Sequence, residues 1–303
     1  MTEEIRFNRE FDAVPEQMEP VVPGIRRILA DLPSPFTFKG TNTYVVGTGE
    51  VAVIDPGPDD PRHIEAILNG LRGETVTHIL ITHTHRDHSP GAAALQAATG
   101  AKTYGEGPHR PSRALHLGEA PAMDTGGDEN FVPDHTLRDG DVIEGKGFAI
   151  EAITTPGHCA NHLAFALRGT DALFSGDHVM GWATSIVAPP DGSMGDYMNS
   201  LHKLQGRPES FYLPGHGAPV PNAHKLLQQF VEHREAREAA ILRKLSRGES
   251  DIPAIVQSIY LGLDPRLTKA AALTTYAHLE TLLERNIVQA DGGPSLEARY
   301  KLA

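Results

Sequence analysis

Apolar positions along the chain follow two alternating patterns, which together predict an α/β fold. Short apolar runs bounded by turn residues are typical of buried strands, and apolar residues three and four apart are typical of amphipathic helices. The first pattern predicts strands over residues 43–46, 51–55, 77–82, 101–104, 148–154, 163–167, 172–174 and 211–213. The second predicts helices over residues 60–71, 89–99, 197–204 and 223–245, with Ser89 as the N-cap of its helix.

The last part of the chain has a pattern of its own. Helices are predicted over residues 252–260 and 268–286, and a hairpin of two strands over residues 287–290 and 298–302. Helices followed by a two-stranded hairpin make a winged helix. We therefore expect one large domain over residues 1–225, and a connecting helix with a small winged-helix domain over residues 226–303.

Composition restricts the setting in which the protein works. The 303 residues include one cysteine, which excludes a disulfide framework within the chain and suits a reducing compartment. The charged start of the chain has no apolar core of the kind a secretory signal needs. No apolar run approaches the length that spans a bilayer. The sequence thus predicts a soluble, cytoplasmic protein with no membrane partner.

The most informative segment for function is residues 82–88, with the sequence THTHRDH, which follows an apolar run. Alternation along an extended chain places His83 and His85 on the same side, where two imidazoles can bind one cation. Asp87 and His88 follow where the chain turns, directed at a second, adjacent point. Imidazole and carboxylate ligands suit zinc, with iron and manganese as alternatives. A structural zinc site is the competing interpretation, although such sites favour cysteine-rich shells.

Two cation sites need more ligands than this segment supplies, and three later residues are candidates. His158, Asp177 and His216 each stand at the end of an apolar run, in a turn that contains glycine. In this order behind the histidine cluster, they resemble the metallo-β-lactamase superfamily. The resemblance covers roughly residues 20–225 and includes Asp55, at the end of the second predicted strand.

The resemblance implies an αββα sandwich, two mixed sheets between helices, with two divalent metal ions along one edge. Its ligand assignment is His83, His85 and His158 for the first ion, Asp87, His88 and His216 for the second, Asp177 as the bridge, and Asp55 as a supporting carboxylate. Zinc is the expected metal, with manganese or iron as alternatives. The implied chemistry is hydrolysis by a metal-bridging hydroxide, with Asp87 orienting the nucleophile and moving its proton.

Several other polar residues have no place in that ligand set. His178 is expected to be packed or hydrogen-bonded, and Cys159 to be a small buried apolar residue. For the remaining histidines of the irregular stretch 105–140, surface or pocket-wall roles are favoured: His109, His116 and His135.

Two segments are candidate substrate walls, because long irregular loops beside a site often contact substrate. They are the stretch 105–140 and residues 182–198. The pattern leaves open whether Tyr197, in the second segment, belongs to the core or contacts the substrate.

The tail, together with residues 42–47, resembles the β-lactamase-like protein 2 group, some of whose members are endoribonucleases acting on single-stranded RNA. Residues 221–303 carry a net charge of +1 and residues 1–220 a net charge of −13. The second tail helix offers only a weak set for reading nucleic acid: Lys269, Thr274, Thr275, His278 and Arg285. Because binding to phosphates needs a clear basic surface, a role as a pocket lid or homodimer contact is favoured over nucleic-acid binding.

Three functions are therefore compatible with the sequence. The first is a dinuclear metal hydrolase of the winged-helix group, with single-stranded RNA as a candidate substrate. The second is a hydrolase of small-molecule esters, thioesters or lactones, similar to glyoxalase II. The third is a non-enzymatic regulator whose metal core senses a ligand, which the complete ligand set disfavours.

Overall fold

Seven strands form the first sheet in the computed structural model of the protein, which describes residues 5–116, 119 and 126–303. They lie across the sheet in chain order: β1 (Glu19–Val22), β2 (Ile25–Leu29), β3 (Asn42–Thr48), β4 (Glu50–Ile54), β5 (Thr75–Leu80), β6 (Lys102–Gly105) and β7 (His135–Thr136). Strands β1 to β4 pair antiparallel, whereas β4 to β7 run parallel and need crossovers. Two of these crossovers contain the helices α1 (Pro61–Gly70) and α2 (Gly91–Thr99).

Five strands form the second sheet, in the order β12, β11, β10, β9, β8. They are β8 (Val142–Gly145), β9 (Phe148–Thr154), β10 (Leu163–Leu167), β11 (Ala172–Gly176) and β12 (Phe211–Pro214). Neighbouring strands are antiparallel except β11 and β12, whose parallel crossover contains α3 (Met194–Gln205). The long helix α4 (Ala223–Leu245) follows β12.

Three apolar cores order these elements into four layers. In β4, Val51 and Val53 face the core shared with α1 and α2, whereas Ala52 and Ile54 face the core between the two sheets. Both faces of this strand are therefore buried, which explains its continuous apolar sequence. A third core lies between the second sheet and helices α3 and α4. The predicted αββα sandwich is confirmed.

The tail forms a fourth apolar core. Helices α5 (Ile252–Ile259) and α6 (Thr268–Glu284) pack with the hairpin of β13 (Val288–Ala290) and β14 (Tyr300–Leu302). The predicted winged helix is thus confirmed. Helix α4 contributes its first half to the core of the second sheet and its last two turns to the tail core. The division at residue 225 stays a prediction.

Polar side chains explain where the sequence prediction missed elements. Strand β2 was not predicted, because the charged residues Arg26 and Arg27 interrupt its apolar pattern. The strand accommodates both through ion pairs with Glu74 and Glu19. The predicted cap of α2 is wrong, because its N-cap is Pro90 and has no side-chain cap bond. The Ser89 hydroxyl instead donates to Asp128 Oδ2 at 2.8 Å.

Some of the predicted features lie outside the described residues. They are residues 1–4 of the charged start and residues 117, 118 and 120–125 of the irregular stretch. None of the helices in the described part of the chain combines the length and apolar character that crossing a membrane requires.

The turn after β9 approaches α3 closely at Gly157, and a substitution there tests whether the fold requires this approach. Its φ is +135°, and an added Cβ would lie 2.3 Å from the Tyr197 Cα. Gly157→Ala is expected to lower the free energy of unfolding by about 2–5 kcal/mol, from backbone strain together with overlap. Gly169→Ala is the control, since Gly169 has φ +79° but no atom within 4 Å of an added Cβ. It should lose only about 1–2 kcal/mol in urea denaturation, and equal losses would contradict the close approach.

Candidate metal centre

The candidate residues follow strands that end at one edge of the two sheets. Asp55 follows β4 and residues 82–88 follow β5, and these strands are parallel. His158, Asp177 and His216 follow β9, β11 and β12, which run in one direction because β9 and β11 both pair antiparallel with β10. The structure brings all eight predicted site residues to this edge.

Hydrogen bonds join the two sheets beside that edge. Asn42 Nδ2 donates to Pro214 O and to Gly217 O, at 2.9 Å each, and the Tyr44 hydroxyl donates to Pro214 O at 2.9 Å. The carbonyls belong to the end of β12 and its turn, and the donors to β3. These bonds therefore fix the His216 turn relative to the first sheet.

Three histidines form the first ligand group. His85 Nδ1 lies 3.0 Å from His83 Nε2 and 3.0 Å from His158 Nε2. Alternation along the extended chain after β5 brings the first two together, as predicted, and the glycine turn after β9 supplies the third. All three atoms are close enough to bind one ion.

Asp87, His88 and His216 form the second group. Asp87 Oδ2 lies 3.3 Å from His88 Nε2 and 3.2 Å from His216 Nε2. The chain turns here because the His88 N–H donates to His85 O at 2.9 Å. This turn directs Asp87 and His88 away from the first group.

Asp177 lies between the two groups. Its Oδ2 is 3.7 Å from His158 Nε2 and 3.2 Å from His216 Nε2. Its Oδ1 is 3.5 Å from His88 Nε2, and both of these buried atoms lack a hydrogen-bond partner. The carboxylate thus faces both groups with one oxygen unsatisfied.

Hydrogen bonds determine which nitrogen of each ring carries a proton. The acceptors, at 2.7–3.0 Å, are Thr82 Oγ1 for His83, Asp191 Oδ2 for His85, Ile186 O for His158, Asp55 Oδ2 for His88 and Gly40 O for His216. In each neutral ring the other nitrogen carries a lone pair directed into its group. Lone pairs 3.0 Å apart repel one another unless a cation binds between them. The donor set therefore fits metal ions.

The electrostatic character of the two groups differs. Burial holds the pKa of His83 well below its usual value and lowers the pKa of His158 to about 4, so both rings are neutral and able to ligate. In the second group burial is outweighed by Asp177 and Asp87, whose charges raise the pKa of His216 to about 10. The carboxylates thus make the second group strongly attractive to positive charge.

Asp55 supports one histidine of each group. It is 2% exposed and accepts hydrogen bonds from the Thr82 N–H (2.7 Å), the Thr82 hydroxyl (2.6 Å) and His88 Nδ1 (2.9 Å). Thr82 Oγ1 in turn accepts from His83 Nδ1. The lone pairs of His83 and His88 are therefore oriented by the same carboxylate.

Sequence reasoning missed three residues that orient the ligands. Asp191 accepts from His85, His162 Nε2 accepts the Asp177 N–H at 3.1 Å, and the Thr41 hydroxyl donates to Asp87 Oδ2 at 3.1 Å. Asp191 stands in a segment predicted to be a wall, which was the only signal for it. No pattern indicated His162 or Thr41. His162 is 15 residues from Asp177 in the sequence, and Thr41 is 46 residues from Asp87.

The residues outside the ligand set lie as follows. Tyr197 is 0% exposed, so it is a core residue, and its hydroxyl donates to His178 O at 3.0 Å. Cys159 is buried as expected. The ring of His178 is packed rather than hydrogen-bonded: its centroid lies 4.5 Å from that of the Tyr197 ring, and neither ring nitrogen has a partner. The centroid of the His109 ring lies 6.4 Å from that of the His85 ring, which places His109 beside the site.

Two further histidines of the irregular stretch lie away from the ligands. His135 is exposed and stacks on Tyr104, with ring centroids 4.7 Å apart. His116 Nε2 lies 3.3 Å from Glu280 Oε1 on α6. The first part of this stretch therefore contacts the tail.

An αββα sandwich with histidines gathered at a sheet edge defines a class of metal-site hydrolases. Within that class, the chain belongs to the Metallo-beta-lactamase superfamily, whose sequence pattern matches residues 36–216. Residues 252–295 match the Beta-lactamase associated winged helix domain. The protein is accordingly an enzyme of the hydrolase type, as predicted.

Proteins similar to this chain over most of its length include two relatives and a solved structure. A Beta-lactamase-like protein 2 homolog of Caenorhabditis elegans is 30% identical over 264 residues, covering 85% of this chain and 83% of that protein. An Atrochrysone carboxyl ACP thioesterase of Aspergillus terreus is 30% identical over 247 residues, covering 80% and 70%. A beta-lactamase domain protein from Burkholderia ambifaria shares the fold, with a TM-score of 0.77 at 23% identity and 96% of each chain covered.

Asp55→Asn tests the shared support of the two groups. The asparagine amide cannot accept from all of the Thr82 and His88 donors, so at least one buried donor becomes unsatisfied. The free energy of unfolding of the metal-free protein should fall by about 1–3 kcal/mol, measured by urea denaturation. Asp59→Asn, on the exposed turn after β4, is the control and should leave it unchanged. Equal stability of the two variants would contradict the role assigned to Asp55.

Proposed function

We propose that the protein is a hydrolase whose two ligand groups each bind a divalent cation. His83, His85 and His158 bind the first, Asp87, His88 and His216 bind the second, and Asp177 bridges them. The observation that carries the proposal is the convergence of inward-directed nitrogen lone pairs around an unsatisfied buried carboxylate. Imidazole with carboxylate favours zinc, with manganese or iron as alternatives.

Asp87 is the residue of this set best placed to act on the reacting water. Bound divalent cations would supply Lewis acidity and a water that ionises near neutral pH. The side chain of Asp87 is 18% exposed, against 9% for Asp177 and 1% for His216. Thr41 donates to its Oδ2 and fixes its orientation. We assign to Asp87 the orientation of the attacking water and the acceptance of its proton.

An ester or thioester of a small acyl group is the substrate class we favour. A relative that matches most of this chain carries the name of a thioesterase. Residues 1–220 have a net charge of −13, which repels a polyanion and not an uncharged acyl group. Three of the five tail residues that could read a nucleic acid are buried in α6: Thr274, Thr275 and His278.

Single-stranded RNA is the second candidate, because the tail has a basic cleft. It encloses about 380 Å³ beside α4 and is lined by His233, Arg237, Arg243, Lys244 and Arg247, among others. An RNA strand would have to use this side of α4, since α6 faces inward.

Metal content is the direct test of the two ligand groups. Zinc-loaded protein should contain about two ions per chain, as measured by plasma mass spectrometry after desalting. Asp177→Ala removes the carboxylate that faces both groups and should lower this content while the circular dichroism spectrum is kept. Asp171→Ala, on the exposed turn before β11, is the control and should retain both ions. One ion or none in the unaltered chain would refute a dinuclear site.

A substrate panel tests the reaction. The zinc- or manganese-loaded enzyme should hydrolyse an acyl thioester faster than single-stranded RNA, a homoserine lactone or a cephalosporin. Asp87→Asn should lower kcat by about 100-fold or more, since the proton acceptor is lost. Its metal content is measured in parallel, and Asp59→Asn serves as the control. Cleavage of RNA without turnover of thioester would overturn our choice of substrate.

A further inference from the structure

The segment of residues 185–193, here named the strap, contacts two of the three histidines in the first ligand group. Ile186 O accepts from His158 Nδ1 at 2.7 Å, and Asp191 Oδ2 accepts from His85 Nε2 at 2.7 Å. The Ser185 hydroxyl lies 3.2 Å from the same His158 nitrogen. The strap therefore determines how these two rings present their lone pairs.

The strap lies directly against the turn that carries His158. The Ser193 N–H donates to Gly157 O at 2.9 Å. A Cβ added at Gly192 would lie 2.7 Å from Gly157 O and 2.8 Å from His158 O, so only glycine permits this approach. A displacement of the strap would thus be transmitted to His158.

Helix α4 contacts the strap from the side of the second sheet. Arg234 is 3% exposed, and its Nη2 donates to Ser185 O. Its guanidinium also lies over the Tyr197 ring, 5.0 Å from the centroid. A buried charge with these two contacts fixes the first residue of the strap.

Helix α6 contacts the strap through residues 112 and 113. The Ser112 N–H and hydroxyl both donate to Pro190 O, at 2.8 and 2.9 Å. The next residue, Arg113, donates to Glu280 on α6. A continuous path of contacts therefore runs from Glu280 through the strap to Asp191 and His85.

The second ligand group has no comparable path. His216 donates to Gly40 O, Asp87 accepts from Thr41, and His88 donates to Asp55. All three partners belong to the first sheet or its turns. Within the described residues, no hydrogen bond joins this group to α4 or α6.

We propose that the tail positions His85 and His158 through the strap, with Asp191, Arg234 and Glu280 as positioning residues. The inference rests on the proposed metal site and adds a role for the C-terminal domain. It follows that changes in the tail weaken binding of the first cation and leave the second unaffected.

A two-step zinc titration against a competing chelator tests the proposal on the full chain. The step that belongs to the first group is identified as the one lost in His158→Ala. Asp191→Asn should weaken that step by about 10–100-fold and leave the other unchanged. Glu280→Gln should weaken the same step to a smaller extent. Glu284→Gln, at an exposed position of the same helix, is the control and should change neither.

A double variant tests whether Glu280 acts through Asp191. If the two lie on one path, the effect of Glu280→Gln should be smaller when Asp191 is already asparagine. Folding is checked by thermal melting, and the absorption spectrum of the cobalt form reports the coordination of the first ion. Wild-type affinity at both steps in folded Glu280→Gln overturns the inference alone. Fewer than two steps in the unaltered chain overturns the proposed metal site as well.

Discussion

The buried carboxylate of Asp55, at the end of β4, supports one histidine in each of the two groups: His88 directly and His83 through Thr82. Its backbone has φ +50°, a conformation that costs a residue other than glycine about 1–3 kcal/mol and persists only where surrounding contacts require it. Here the contacts are two donors from Thr82 and one from His88. Hydrogen bonds to a charged acceptor contribute about 1.5–3 kcal/mol each, which is enough to offset the strain. The orientation of His83 and His88 thus depends on one strained residue.

The centre itself opposes folding when no cation is bound, because it gathers lone pairs and carboxylates that repel one another. Protonation of His88 and His216 relieves part of this repulsion in the second group. Burial lowers the pKa values of these two histidines, but the charges of Asp87 and Asp177 raise them by more. The first group has less such relief, since burial keeps His83 and His158 neutral, and only His85 has a raised pKa, because its hydrogen bond to Asp191 and the nearby carboxylate charges together outweigh burial. Its geometry must therefore be imposed by the rigid parts around it. These are the apolar core between the sheets and the hydrogen bonds from β3 to the β12 turn.

The sequence predicts the layers well, and also the strand ends whose polar residues meet at one edge. The reason is visible in β4. Both of its faces are buried, so the apolar run marks the strand and the polar residue after it marks the edge. Prediction fails where a side chain's partner is distant in sequence. Asp191 accepts a hydrogen bond from His85, which lies 106 residues away in the sequence. The sequence around neither residue contains a pattern that predicts this contact. The predicted Ser89 cap is wrong for a similar reason: the Ser89 hydroxyl donates to Asp128, 39 residues away, instead of capping α2.

The orientation of α6 favours a packing role over nucleic-acid reading by this helix, the two interpretations of the tail that the sequence left open. A winged helix that reads nucleic acid presents polar side chains of its second helix to a groove. In this chain Thr275 and His278 are buried at 0% and 1% exposure, and Arg285 at the end of the helix pairs with Glu238 at 2.8 Å. Ala277 of the same helix belongs to the core of the second sheet. Helix α6 thus packs against the large domain, on the side where the strap and the two predicted wall segments lie.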